Sequence, residues 1–209
     1  MIRQVQQAAE LLKRGKVGSI PTETSYGLAA SIRQEEALLR IFGMKRRLKD
    51  KPLLVLISHI SMLEQLTETP LPKHLLEIAK RFWPGPVTLL MPALPHLPYP
   101  LTGHTGKIGV RISSNTTATR LVEILGHPVT ATSANLSGKP PCFSPEEVMR
   151  QLEEDPPDFI LDGGVLPPGP PSTILDCTVY PPLPVRTGAI SREQLIKAGI
   201  PVAHGRGPA

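Results

Sequence analysis

The chain has 209 residues, 40% of them hydrophobic and 20% charged, with a formal net charge of +5. That length can bury a real core and is met most simply by one α/β domain, while no apolar run reaches the roughly 18 to 20 residues of a membrane-spanning helix. Aromatic residues at 4% are too few for an extended base-stacking platform, and Cys142 and Cys177, far apart in sequence, suggest neither a disulfide framework nor a zinc site.

Residues 4 to 14 place Val5, Ala8, Ala9, Leu11 and Leu12 on one side of a helix that Gly15 ends. This N-terminal stretch has no apolar signal core, so a cytoplasmic location is the default expectation. "VGSI" follows as a short strand and runs through the polar turn of "PTETSYGLAA" into a second apolar segment. A helical pattern returns over 34 to 43, and the basic connection "MKRRLKDK" leads into the strand "PLLVLIS". Residues 72 to 82 suit a helix, "PVTLLMPA" and "KIGVRIS" strands, and 116 to 125 a helix. Ser144, Pro145 and Glu147 spell a capping box for a helix over 145 to 154. "DFILDGG", "STILDCTVY" and "LPVRTGAI" read as strands, and 191 to 198 as a last helix capped by Ser191. The alternation predicts a mixed sheet covered by helices, with ligands held in loops beyond strand ends. The 25 prolines cluster at 92 to 100, 140 to 145, 156 to 171 and 181 to 184, between the periodic segments, and read as stiffened loops.

The positive charge attracts polyanions such as nucleotides or RNA. No H-x-x-H or H-E-x-x-H spacing and no acidic cluster suggests a dedicated metal cage, so a metal is expected to arrive with a ligand. Four polar segments carry the candidate chemistry. "IPTETSYGL" packs Thr22, Glu23, Thr24, Ser25 and Tyr26 into a turn that can orient a small polar ligand or satisfy itself. In "KRRLKDKPL", an extended backbone would put Lys45, Arg47, Lys49 and Lys51 on one face, a geometry suited to a triphosphate, while a solvated basic loop is the ordinary reading. In "PVTATSANLSGKPP", small side chains would let phosphate or sugar oxygens reach backbone N–H groups, with Ser133 and Asn135 adding donors and Gly138 allowing a sharp exit. The spacing matches neither a P-loop nor a dinucleotide fingerprint. Arg111 in "IGVRIS" and Arg186 in "PVRTGAI" each need a carboxylate of the protein or an anionic ligand.

Taken in order, "IPTETSYGLAA", "KRRLKDKPL", "WPGPVTLLM", "IGVRIS", "TSANLSG" and "STILD…VRTGAI" resemble the YrdC-like family of L-threonylcarbamoyladenylate synthases, over about residues 5 to 190. The resemblance implies a twisted, mixed α/β sheet enclosing a large basic cavity, in a short single-domain form spanning 1–209 with a flexible tail from about 200. It implies an enzyme that joins L-threonine, bicarbonate or CO2, and ATP with Mg²⁺, releasing threonylcarbamoyl-AMP and pyrophosphate for tRNA threonylcarbamoyladenosine formation. By motif, Thr24, Arg111 and Ser172 would hold L-threonine. Lys45, Arg47, Lys51, Ser133, Asn135 and Arg186 would contact ATP, with Lys45 and Arg47 stabilising the departing pyrophosphate. The implied partners are these substrates and the downstream tRNA threonylcarbamoyl-transfer machinery. Leu48 and Ser113 stand where the family pattern has proline, and Leu56 where some members have histidine near threonine, which bears on amino-acid selectivity. Two other readings fit the same residues. One is a YciO-like homologue of weak or different activity, and the other a non-catalytic protein that binds tRNA or double-stranded RNA.

Overall fold

The computed structural model describes residues 2–48 and 50–203. In chain order the elements are α1 (Ile2–Lys13), β1 (Gly18–Pro21), β2 (Tyr26–Ala29), α2 (Glu35–Lys45), β3 (Val55–Ile57), α3 (Lys73–Phe82), β4 (Val87–Pro92), α4 (Tyr99–Thr102), β5 (Lys107–Ile112), α5 (Thr116–Leu125), β6 (Val129–Thr130), β7 (Thr132–Ser133), α6 (Pro145–Gln151), β8 (Phe159–Ile160), β9 (Thr173–Asp176), β10 (Leu183–Arg186) and α7 (Arg192–Lys197). The mixed α/β architecture is the expected one, but the strands divide over two sheets. One has the order β7-β2-β1-β8 and the other β10-β9-β4-β5-β3-β6, each with parallel and antiparallel neighbours.

The division is made in "PVTATSANLSG". Its first half pairs with β3 as β6, and its second half pairs with β2 as β7, so that three residues carry the chain from one sheet edge to the other. Ala131, between them, donates its N–H to the Leu54 carbonyl at 2.9 Å. Thr130 fastens the crossing: its hydroxyl donates to the Leu28 carbonyl at 3.1 Å and accepts the Ala30 N–H at 2.9 Å. Thr130, Ala131 and Thr132 are all buried in this crossing, a setting that suits small side chains.

Helix ends follow their capping chemistry. The Asn115 side chain accepts the N–H groups of Thr117 and Ala118 at the start of α5, and Gly126 ends that helix at φ 79°. Ser191 and Gln194 form a complete capping box on α7. At α6 only half of the expected box exists. Ser144 Oγ accepts the Glu147 N–H at 3.3 Å, but the Glu147 carboxylate accepts from Phe143 rather than from Ser144. That helix also ends at Gln151, short of the expected 154, where Leu152 leaves the helical region at φ −110° and ψ 29°. β8 is shorter than "DFILDGG" since Gly163 and Gly164 leave the sheet to bracket the Tyr26 hydroxyl at 2.8 and 2.9 Å. Two short helices, α4 and a 3-10 turn over Ile60–Gln65, have no periodic signal of their own; α4 starts inside the 92–100 proline cluster.

Two apolar clusters result. The larger packs α2 and α3 against both sheets through Leu38, Ile41, Leu75, Ile78, Leu89 and Val110. The smaller seals α1 on α5 through Val5, Ala9, Leu12, Leu121 and Val122. Segment 200–203, expected as free tail, packs: Ile200 and Val202 are buried, and the Ala203 N–H reaches the Pro182 carbonyl at 2.9 Å. The remainder of that tail, 204–209, lies outside the described residues.

Candidate active site

The basic run does not extend. α2 continues through Lys45, and Arg46 caps it in the left-handed conformation at φ 48°, so alternate residues do not share a face. Arg46 turns outward to Glu154 as an exposed ion pair. Lys45 turns inward and is 1% exposed; its ammonium donates to the carbonyls of Ser133 and Asn135, the latter at 2.7 Å, and lies 3.5 Å from Asn135 Oδ1. Arg47 is half-buried and folds back, donating from Nε to the Lys51 carbonyl and from Nη2 to the Pro52 carbonyl, both at 3.1 Å. Lys51 is exposed, and among the described residues its side chain makes no hydrogen bond or ion pair. Lys49, expected on the same face, lies outside the described residues.

The small-residue loop meets Lys45 as expected, but its own polar groups are largely spent. Asn135 Nδ2 donates to the Leu136 and Lys139 carbonyls at 2.8 and 2.7 Å. The N–H groups of Ala134, Asn135, Leu136 and Ser137 go to protein acceptors, so the backbone cradle inferred from composition is not open. The Ser133 hydroxyl makes no hydrogen bond among the described residues, as is also true of the Thr132 and Ser137 hydroxyls, and it is half-buried.

Arg111 lies in β5, opposite Leu56 of β3, and is 5% exposed. Its Nη1 is 2.9 Å from Glu23 Oε1 and donates to Thr24 Oγ1 at 3.3 Å. Both partners come from the β1–β2 turn, whose backbone is organised by Thr22: its hydroxyl donates to the Ser25 carbonyl at 2.7 Å and accepts from Thr24 and Ser25. The turn therefore satisfies itself through Thr22 and presents Glu23 and Thr24 to the arginine. On the neighbouring strands, Ser172 Oγ is 2.9 Å from Thr88 Oγ1 and accepts from Arg186 Nη2 at 3.0 Å. Glu23 is one of the five polar turn residues named from the sequence but carries no role there, and Thr88 is not among the candidates. Thr88 had a signal, being the lone hydroxyl in the apolar strand "PVTLLM"; Glu23 looked like one more polar turn residue.

Arg47 acts on Lys45, and Arg47 and Arg111 both act on Arg186. Burial, then Arg47, pulls Lys45 down to about 7. Arg186 is lowered by desolvation, then by Arg111 and Arg47. Burial also lowers Arg47 and Arg111, opposed by Asp50 and Glu23 respectively. Among the described residues only Arg111 of the four has a carboxylate within ion-pair distance. Hollows of about 680 Å3 beside the start of α5 and about 430 Å3 beside Arg33 and His96 are lined by other residues. The large basic cavity implied by the resemblance is thus not delineated; what stands in its place is a set of converging cations and hydroxyls.

The family model of Sua5, YciO and YrdC, described as telomere recombination, matches residues 10–188. The chain belongs to this family. A Bacillus subtilis threonylcarbamoyl-AMP synthase is 39% identical over 195 residues, covering 92% of the present chain and 55% of that protein. The structure of Pyrococcus abyssi Sua5 complexed with L-threonine superposes with a TM-score of 0.90 at 36% identity, covering 97% of the present chain and 60% of that one. Escherichia coli YciO gives a TM-score of 0.81 at 29% identity, with 90% and 91% covered. The chain therefore spans little more than half the length of the first two Sua5/YciO/YrdC relatives and nearly all of the third.

Proposed function

We propose that this chain is an L-threonylcarbamoyladenylate synthase, a nucleotidyltransferase acting in the cytoplasm for tRNA modification. The observation that carries the reading is the convergence of Lys45, Arg47, Arg111 and Arg186 from separated segments, with one ion-paired carboxylate among them, beside the hydroxyls of Thr24, Ser133 and Ser172. Lys45 and Arg111 are buried and Arg47 is half-buried, and such desolvated positive charge beside the exposed Arg186 is costly unless an anion completes it. A triphosphate and an amino-acid carboxylate would do so.

In the proposed reaction the α-ammonium of threonine gives a proton to solvent, and the free amine adds to CO2 and sheds a second proton to solvent, leaving a carbamate. A carbamate oxygen then bonds to the α-phosphorus of ATP as the bond from that phosphorus to the bridging oxygen breaks, and pyrophosphate leaves. No covalent enzyme intermediate is required, so the residues contribute placement and charge. Arg47 and Arg186 would neutralise the leaving pyrophosphate, with exposed Lys51 at its outer end, and Arg111 would take the threonine carboxylate. Thr24 and Ser172 would hold the rest of the amino acid. Lys45 acts chiefly by fixing the carbonyls that aim Ser133 and Asn135. Mg²⁺ would enter on the triphosphate; among the described residues no cluster of three or more His, Cys, Asp or Glu is placed to hold a metal alone. The transfer machinery that modifies tRNA would consume the adenylate. No helix among the described residues is long and apolar enough to cross a membrane.

The likeness to YciO over nearly the full length of both chains supports a second reading, a fold relative of different activity. The two are separated by incubating the chain with ATP, Mg²⁺, L-threonine and ¹³C-bicarbonate and analysing the products by mass spectrometry. A synthase yields threonylcarbamoyl-AMP carrying one ¹³C; ATP recovered intact rejects that assignment.

A further inference from the structure

Glu23 is the odd member of the site. Its Oε1 is shielded from solvent and sits 2.9 Å from Arg111 Nη1, yet the contact is not aligned as a hydrogen bond and the atom has no hydrogen-bond partner among the described residues. A buried carboxylate oxygen left in that state is costly and needs an explanation. The other oxygen is anchored: Oε2 accepts from the Ser113 hydroxyl, and Ser113 Oγ in turn accepts the Asn115 N–H at 3.1 Å, at the start of α5. The carboxylate is thus held from behind with one oxygen open. Arg111 is similarly half-used. Of its five N–H donors, the one hydrogen bond it makes among the described residues runs from Nη1 to Thr24.

We propose that Glu23 Oε1 receives the α-ammonium of the amino-acid substrate while the unused edge of Arg111 receives its carboxylate. The adjacent anion and cation then match, with opposite sign, the ammonium and carboxylate that an α-amino acid carries on a single carbon. The substrate is read as a zwitterion, and a hydroxy acid of the same shape is rejected because it leaves Glu23 unanswered. Before substrate arrives, the same contact keeps Arg111 from standing buried and unpaired. The proposal rests on the synthase reading and adds to it a residue that recognises the reacting nitrogen. Ser113, which departs from the proline of the family pattern, becomes the positioning residue for that carboxylate.

The test is calorimetric. L-Threonine and 2,3-dihydroxybutanoate, in which hydroxyl replaces the ammonium, are titrated into the wild-type protein, Glu23→Gln and Ser113→Ala, with ATP titrated as a control. Wild type should prefer threonine by about 10- to 100-fold, the worth of one charge-assisted hydrogen bond. In Glu23→Gln that preference should fall to near unity with ATP affinity kept within about 2-fold. Ser113→Ala retains every charge and should lower the preference to an intermediate value, which decides the matter if Glu23→Gln does not fold. Equal affinity of wild type for the two ligands, or an undiminished preference in the variants, overturns the proposal. If the wild-type protein makes the adenylate while its preference ignores Glu23, this inference alone fails; if it makes none, the synthase reading fails and takes the inference with it.

Discussion

A lysine whose ammonium touches three oxygens of one loop is first a structural clamp. Deleting its side chain would strand the Asn135 carbonyl, at about 1 to 3 kcal/mol for a group left buried and unmet, while the Ser133 carbonyl would keep the Asn135 N–H. Lys45 has a second property, because burial and Arg47 hold it at about 7 instead of the ordinary 10.5. At pH 8 much of the population then lacks the extra proton. A bound polyanion favours the charged form and raises that pKa, so ATP binding at pH 8 should take up protons. Calorimetry in two buffers of different ionisation enthalpy should show a buffer-dependent binding heat, absent in Lys45→Arg, which is always charged. A buffer-independent heat in wild type would contradict this. The pairing of Lys45 with the Ser133–Asn135 loop was legible in sequence only through the family resemblance. Composition correctly flagged small side chains and close approach, but the approaching group is Lys45 and the sheet crossing.

The elements were legible where periodicity and caps agreed. α5 was read with its observed bounds from apolar periodicity, and Asn115 and Gly126 cap it there, while "KIGVRIS" gave β5 to within a residue. The extended geometry weighed for the basic run beside a solvated loop is not adopted, since α2 runs on to Lys45 and nothing in "MKRR" signals a left-handed cap at Arg46. The switch of "VTATS" between sheets was illegible because both halves are strand-like and only tertiary pairing separates them. Just past α5, His127 is buried with Nε2 2.7 Å from Ser31 Oγ. Desolvation first, then Arg33, lowers its pKa below 6.5. As pH falls through about 6.5 the unfolded chain takes up this proton while the folded chain resists, so folding stability should decline until the folded pKa is passed. Denaturant titrations between pH 7.5 and about 5 should show the decline, and His127→Gln should remove part of it. A slope unchanged by the substitution would sink the assignment.

Over the whole molecule, the two sheets matter because they deliver charges that are remote in sequence. β5 supplies Arg111, the end of β10 supplies Arg186, the end of α2 supplies Lys45 and Arg47, and the β1–β2 turn supplies Glu23 and Thr24. Sequence alone could list these cations but not show that one of them was already paired, since the Glu23–Arg111 contact joins segments nearly ninety residues apart. The central claim is that the cations act together on a triphosphate beside an amino acid. Pyrophosphate release from ATP, measured with and without L-threonine in wild type and in Arg47→Ala, tests it most directly. Release should require threonine, and Arg47→Ala should slow it about 10²-fold in a variant that stays folded, although it loses the bonds to the Lys51 and Pro52 carbonyls. Release that ignores threonine, or proceeds equally fast in the variant, would contradict it.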